Sequence, residues 1–183
     1  MSGFYKYAQA EPDFIAVVDP DGTEHTAGAL LGRANQYVHL LRSLGLEPGD
    51  AVAAVLPNGV LPIEVYLAAL QAGWYYVPIN YRLSAPEIAY IIQDSGAKAI
   101  VSHERYAEVI AAAADEAGLP ADARLSHGTI AGFHDVEAAL AAQPDTLPEH
   151  RSAGAAMHYT SGTTGKPKGV LFSNRSMMLH TFF

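Results

Sequence analysis

Between Tyr159 and Gly169 the sequence reads YTSGTTGKPKG. Its eleven positions hold four small hydroxyl residues (Thr160, Ser161, Thr163, Thr164), three glycines (Gly162, Gly165, Gly169) and two lysines (Lys166, Lys168). Glycines allow positive φ angles and let the backbone approach a ligand closely. Successive backbone N–H groups in such a turn make a concave anion site, and hydroxyls add further donors. A lysine contributes a point charge suited to a polyphosphate. Together these residue types can grip phosphate. On composition alone the run also fits a Ser/Thr/Gly-rich surface hairpin.

Several familiar motifs do not match. A Walker-type loop needs G-x-x-x-x-G-K-[ST] running into a helix, whereas here Gly162 and Gly165 are three apart and Pro167 follows Lys166. The dinucleotide fingerprint G-x-G-x-x-G is absent. Ser161 fails as a hydrolase nucleophile, because the elbow G-x-S-x-G would need glycine where Tyr159 stands. The eight histidines are scattered without metal-ligand spacing, so no zinc or iron site is expected. His158, next to the segment, is expected to pack or to form part of a substrate wall. Trp74, Tyr75 and Tyr76 read as sheet packing rather than a ligand platform.

The elements that must position the segment alternate between helix and strand. Thr26 can cap a helix with apolar face Leu30, Ala34, Val38 and Leu41, ended by Gly45. The run 51–56 is a buried-strand candidate, 60–72 a helix stopped by Gly73, and 75–79 another strand. Ser84 and Glu87 form a capping box with Pro86 in the first turn, and Ile88, Ile91 and Ile92 should face the core. Residues 98–102 form a strand candidate, 104–117 a helix closed by Gly118 and Pro120, and Asp135 can cap a helix to Ala142. Pro144 and Pro148 mark a surface connection. Residues 155–159 and 170–172 are strands on either side of the segment, and Asn174 can start a helix still running at Phe183. Such alternation implies an α/β fold with a mainly parallel sheet flanked by helices.

Bulk properties exclude several classes. Half of the 183 residues are apolar and 16% are charged, a globular composition. A net charge of -8 argues against general nucleic-acid binding, which needs a basic footprint. There is no cysteine, hence no disulfide framework and no thiolate chemistry. Neither a signal-peptide core nor a membrane-length apolar run is apparent, so a soluble, cytoplasmic protein is expected.

YTSGTTGKPKG resembles, nearly letter for letter, the phosphate loop of the adenylate-forming (AMP-binding) superfamily. That superfamily comprises acyl-CoA synthetases, luciferases and the adenylation domains of peptide synthetases. LEPGDAVAAVLPN (46–58), AGWYYVPINYRLSAPE (72–87) and YIIQDSGAKAIV (90–101) are also family-like, while 118–154 is less recognisable. Where peptide-synthetase domains carry Asp-Pro, this chain has Asn80-Tyr81-Arg82-Leu83, which looks like the acyl-CoA synthetase or fatty-acid–CoA ligase branch. Acyl-AMP ligases and luciferases share that pattern.

The resemblance implies that residues 1–183 are the first part of the large N-terminal AMP-binding domain, without the C-terminal domain. Thr160, Ser161, Gly162, Thr163, Thr164 and Gly165 would wrap the β- and γ-phosphates of ATP. Thr160 would also join the Mg²⁺ shell, and Lys168 would neutralise charge as pyrophosphate leaves, the catalytic role. Lys166 falls where the family varies, and Pro167 and Gly169 would shape the turn. The implied reaction joins a carboxylic acid to ATP, giving acyl-AMP, and then to coenzyme A. The acid is not legible, and the acceptor stays open between CoA and a carrier protein. The family's later motifs would fall beyond Phe183. The 183-residue chain is therefore expected not to form acyl-adenylate by itself, and to self-associate through exposed apolar surface. The other reading is a non-catalytic truncated paralogue that binds nucleotide or a partner.

Overall fold

The computed structural model describes residues 3–160 and 166–172. The chain opens with α1 (Phe4–Ala10) and a hairpin of β1 (Ile15–Val18) and β2 (Glu24–Thr26). Then follow α2 (Ala27–Ser43), β3 (Ala51–Val55), α3 (Val60–Ala72), β4 (Tyr75–Pro78), α4 (Ala85–Asp94) and β5 (Ala97–His103). After a short 3₁₀ turn come α5 (Ala107–Ala117), β6 (Arg124–His127), β7 (His134–Asp135) and α6 (Val136–Ala141). The last two elements are β8 (Ala155–Thr160) and β9 (Lys168–Phe172).

Seven strands form one sheet in the order β7-β6-β5-β3-β4-β8-β9. All neighbours are parallel except β8 and β9. This is the mainly parallel α/β sheet that the alternation implies. Parallel neighbours need crossover helices that cover both faces. Helices α2, α3 and α6 pack together on one side, and α4 packs with α5 on the other. Every residue of β3 is buried, as a central strand covered on both faces requires.

The caps follow local chemistry. Thr26 Oγ1 accepts from the Ala29 N–H (3.2 Å), and Glu87 accepts from both the N–H and the hydroxyl of Ser84 (2.8 and 2.6 Å). Asp135 accepts from Glu137 and Ala138. Helix α3 lacks a side-chain cap of its own, and Asp19, from the turn of the first hairpin, accepts from the Val60 N–H at 2.8 Å. Helix α1, the β1–β2 hairpin, β6 and β7 are not among the expected elements. The helix expected from residue 104 begins with one 3₁₀ turn.

The surface connection after α6 is a strap bound along α2. Gln36, Asn35 and His39 bond the carbonyls of Gln143, Asp145 and Thr146. Arg42 donates to the carbonyls of Glu149 and His150 at 2.7 and 3.1 Å. The strap then runs beside the end of α3, where Ser152 N–H donates to Gln71 O and Gly154 N–H to Leu70 O. At Gly154 a Cβ would overlap the carbonyls of Ala69 and Trp74. Gly154→Ala must therefore displace β8 or α3. It is expected to lower stability by roughly 1–3 kcal/mol or more, read as a shift in urea midpoint.

A partly buried polar cluster links α2, α3, α6 and β6. Arg33 of α2 bridges Glu64 of α3 (3.5 Å) and Glu137 of α6 (2.7 Å). His127 of β6 bonds Glu137 through Nδ1 (2.9 Å) and Tyr37 through Nε2 (2.8 Å). Burial pulls the His127 pKa down to about 4 and pushes that of Glu64 up to about 7, the nearby Arg33 charge opposing the latter. A depressed imidazole pKa contributes stability above the usual value of about 6.5, lost as pH falls towards 4. A raised carboxyl pKa works the other way, its contribution fading as pH rises from about 4.3 towards 7. Between about pH 4.5 and 6.5 the two largely oppose each other. Glu64→Gln leaves the histidine unopposed, so its urea midpoint should climb more steeply with pH than the parent's. Identical pH profiles would show that Glu64 does not titrate in this window.

Candidate functional site

Strands β8 and β9 form an antiparallel pair with the register Ala156↔Phe172, His158↔Val170, Tyr159↔Gly169 and Thr160↔Lys168. Thr160 closes the first strand and Lys168 opens the second, so the two directly oppose each other. Directly paired residues project from the same face of a sheet. The Thr160 hydroxyl and the exposed Lys168 ammonium thus share the face that α3 covers further along. Ser161, Gly162, Thr163, Thr164 and Gly165 lie outside the described residues.

On the same face Tyr66, Tyr76, Ala156, His158, Thr160 and Phe172 line an apolar cavity of about 540 Å³. His158 meets Phe172 edge-on, with ring centroids 5.3 Å apart. His158 thus packs against Phe172 while lining this cavity. The aromatic run divides. Trp74 is fully buried, whereas Tyr76 packs edge-on against Tyr66 (5.5 Å) and also faces the cavity. Tyr66 was not singled out by the sequence reading, because nothing local distinguishes one tyrosine on a helix whose residues are mostly buried. His158 and Tyr76 also border a second cleft of about 370 Å³, with Asn58, Ile79, Asn80 and Tyr81. That cleft lies at the carboxyl ends of β3 and β4, where open α/β sheets bind their ligands.

The other face of the pair is fastened to α4. Tyr159 donates its hydroxyl to Asp94 Oδ2 at 2.8 Å. Tyr90 shares its hydroxyl proton between Asp94 Oδ1 (3.3 Å) and the carbonyl of Pro167 (3.2 Å). Lys166 Nζ lies 5.1 Å from the centre of the Tyr90 ring, a cation–π contact. The two lysines therefore part company. Lys166 rests on α4, and Lys168 stands beside Thr160. A Cβ on Gly169 would sit 3.2 Å from both Met157 Sδ and Tyr159 Cζ, so the glycine leaves room for the ring lying across it.

Among the described residues no group of three or more His, Cys, Asp or Glu is placed to hold a metal ion. Mg²⁺ commonly binds through substrate phosphates, waters and one or two protein oxygens. Thr160 offers one such oxygen on the Lys168 face, which fits a metal arriving with a triphosphate. No helix among the described residues is long and apolar enough to cross a membrane.

Comparison with known proteins agrees with this geometry. The profile of the AMP-binding enzyme family matches residues 4–182. The chain is 33% identical to a feruloyl-CoA synthase of an Amycolatopsis species over 156 residues, 85% of this chain and 30% of that protein. It is 34% identical to the fatty acid–[acyl-carrier-protein] ligase ScoC of Streptomyces coeruleorubidus over 175 residues, 93% of this chain and 32% of the relative. A solved fatty acyl CoA synthetase of Mycobacterium tuberculosis superposes with a TM-score of 0.81 at 29% identity, covering 96% of this chain and 34% of that one. The chain thus spans about a third of the length of these relatives. With a matching fold and a family profile over nearly its whole length, this chain belongs to the AMP-binding enzyme family.

Proposed function

We propose that this chain is the triphosphate-binding portion of an acid–CoA ligase that works through an acyl-adenylate, and that residues 1–183 form part of its N-terminal domain. The observation that carries the reading is the pairing of Thr160 with Lys168 on one exposed face, at the two ends of the Ser/Thr/Gly segment. In this reading a carboxylate attacks the α-phosphorus of ATP and pyrophosphate leaves. The thiol of coenzyme A then displaces AMP to form the thioester.

The protein's share of the first step is positioning and charge stabilisation. Lys168 lies at the mouth of the segment and balances charge on the departing pyrophosphate. The hydroxyls and backbone of residues 160–165 hold the β- and γ-phosphates, with Thr160 also a candidate Mg²⁺ ligand. A bound Mg²⁺ would supply further neutralisation of phosphate charge. The cavity beside His158 and Phe172 lies next to Thr160, a suitable place for an apolar group near the phosphates. Coenzyme A is supported only by the named activities of relatives. The identity to an acyl-carrier-protein ligase favours a carrier protein as second acceptor, and thioester formation with CoA against a loaded carrier separates the two.

The 183-residue chain is expected to bind MgATP or inorganic tripolyphosphate measurably by calorimetry. Lys168→Ala should weaken that binding by about tenfold or more, the scale of one charge-assisted contact. Lys166→Ala should cost distinctly less. Equal affinity of the parent chain and Lys168→Ala for tripolyphosphate would remove Lys168 from the phosphate site.

A further inference from the structure

We propose that Asp94 is a positioning residue for the phosphate segment, acting through Tyr159 and Tyr90 to hold the β8–β9 pair against the end of α4. The proposal rests on the phosphate reading above, and extends it to a residue far away in sequence that touches no ligand.

Asp94 is the last residue of α4. An acidic side chain is disfavoured there, because the carbonyl end of a helix carries partial negative charge. Placement against local preference is a mark of a position retained for another purpose. Here each carboxylate oxygen accepts from a different phenol, Tyr159 from β8 and Tyr90 from within α4. Tyr90 in turn reaches the Pro167 carbonyl, one residue before β9. One carboxylate thus holds the strand entering the segment directly and the strand leaving it through a relay. Desolvation, and then the hydrogen bond to Asp94 and its charge, push the Tyr159 pKa above its ordinary range, so its hydroxyl remains a donor. Gly169 keeps the path of the Tyr159 ring clear.

The consequence appears on the opposite face. Strand alternation puts Tyr159 on the α4 side and Thr160 on the other. Fixing the Tyr159 ring therefore fixes the orientation of Thr160 and of its partner Lys168. Lys166, drawn onto Tyr90, is kept away from that face.

A plain surface staple and a positioning residue predict different couplings. Tripolyphosphate binding is measured by calorimetry on the 183-residue chain and on Tyr159→Phe, Asp94→Ala, Asp94→Asn, Lys168→Ala and Tyr159→Phe/Lys168→Ala. Tyr159→Phe and Asp94→Ala are expected to weaken binding about three- to tenfold, the range seen for coupled neighbours. Asp94→Asn, whose carboxamide oxygen can still accept from Tyr159 while its NH2 donates to the Tyr90 hydroxyl oxygen and leaves that proton to the Pro167 carbonyl, should retain most of the affinity. In the Lys168→Ala background Tyr159→Phe should cost clearly less than in the parent, because one of the two groups it positions is gone. Additive losses across that cycle overturn positioning.

Amide hydrogen exchange over 155–160 and 168–172 provides a second reading that needs no ligand. Faster exchange in Tyr159→Phe and Asp94→Ala is expected, and unchanged exchange overturns the tether. Faster exchange in a chain whose parent binds no tripolyphosphate keeps the tether and overturns the phosphate reading.

Discussion

The seat of β8 beside β4 governs everything around the Ser/Thr/Gly segment, and it depends on a backbone contact that leaves no space for a side chain. Gly154 slides between the carbonyls of Ala69 and Trp74, and Ala155 N–H then bonds Trp74 O at 3.0 Å. From that point β8 runs parallel to β4 for only two paired residues before it extends beyond it. Its outer end, which carries Thr160, gets its support from β9 and from α4 rather than from the sheet interior. A strand held firmly at its base and by side chains at its tip can present Thr160 without being buried itself.

The strap from α6 delivers the chain to that seat. Its carbonyls are taken up by Asn35, Gln36, His39 and Arg42 along one side of α2, so a segment without regular structure is nonetheless bound at five points. Asn35 also accepts from Gln71 of α3 at 3.0 Å, which joins the two helices under the strap. Buried and half-buried groups such as Asn35 and Gln36 cost free energy unless they are paired. Their pairing to backbone carbonyls makes the path of the strap specific, whereas apolar contact would let it slide.

Much of the fold was legible because it depended on local rules. Thr26, Ser84 with Glu87, and Asp135 announce helix starts by their own chemistry, and all three do cap the helices they precede. The apolar run 51–56 announces a strand whose residues are all buried. What escaped reading was set by partners distant in sequence. The cap of α3 is supplied by Asp19, forty-one residues before Val60, and β6 has only four residues, with Arg124 and His127 among them. The antiparallel β9 has the composition of any short strand, so its direction is decided by pairing alone. In the candidate site, the YTSGTTGKPKG string singled out Thr160 and Lys168, and strand pairing sets them opposite each other. Asp94 was not legible, since an acid at a helix end becomes meaningful only once Tyr159 is seen against it.

The two faces of the β8–β9 pair divide their duties by the parity of the residue number. Residues 156, 158 and 172 line the cavity, while 157, 159 and 169 form the buttressed side. Substitution at the first set can reshape the wall next to Thr160 while leaving the mounting of the hairpin intact. A scaffold with that separation is evolvable: the cavity wall can change one side chain at a time without disturbing how the hairpin is mounted.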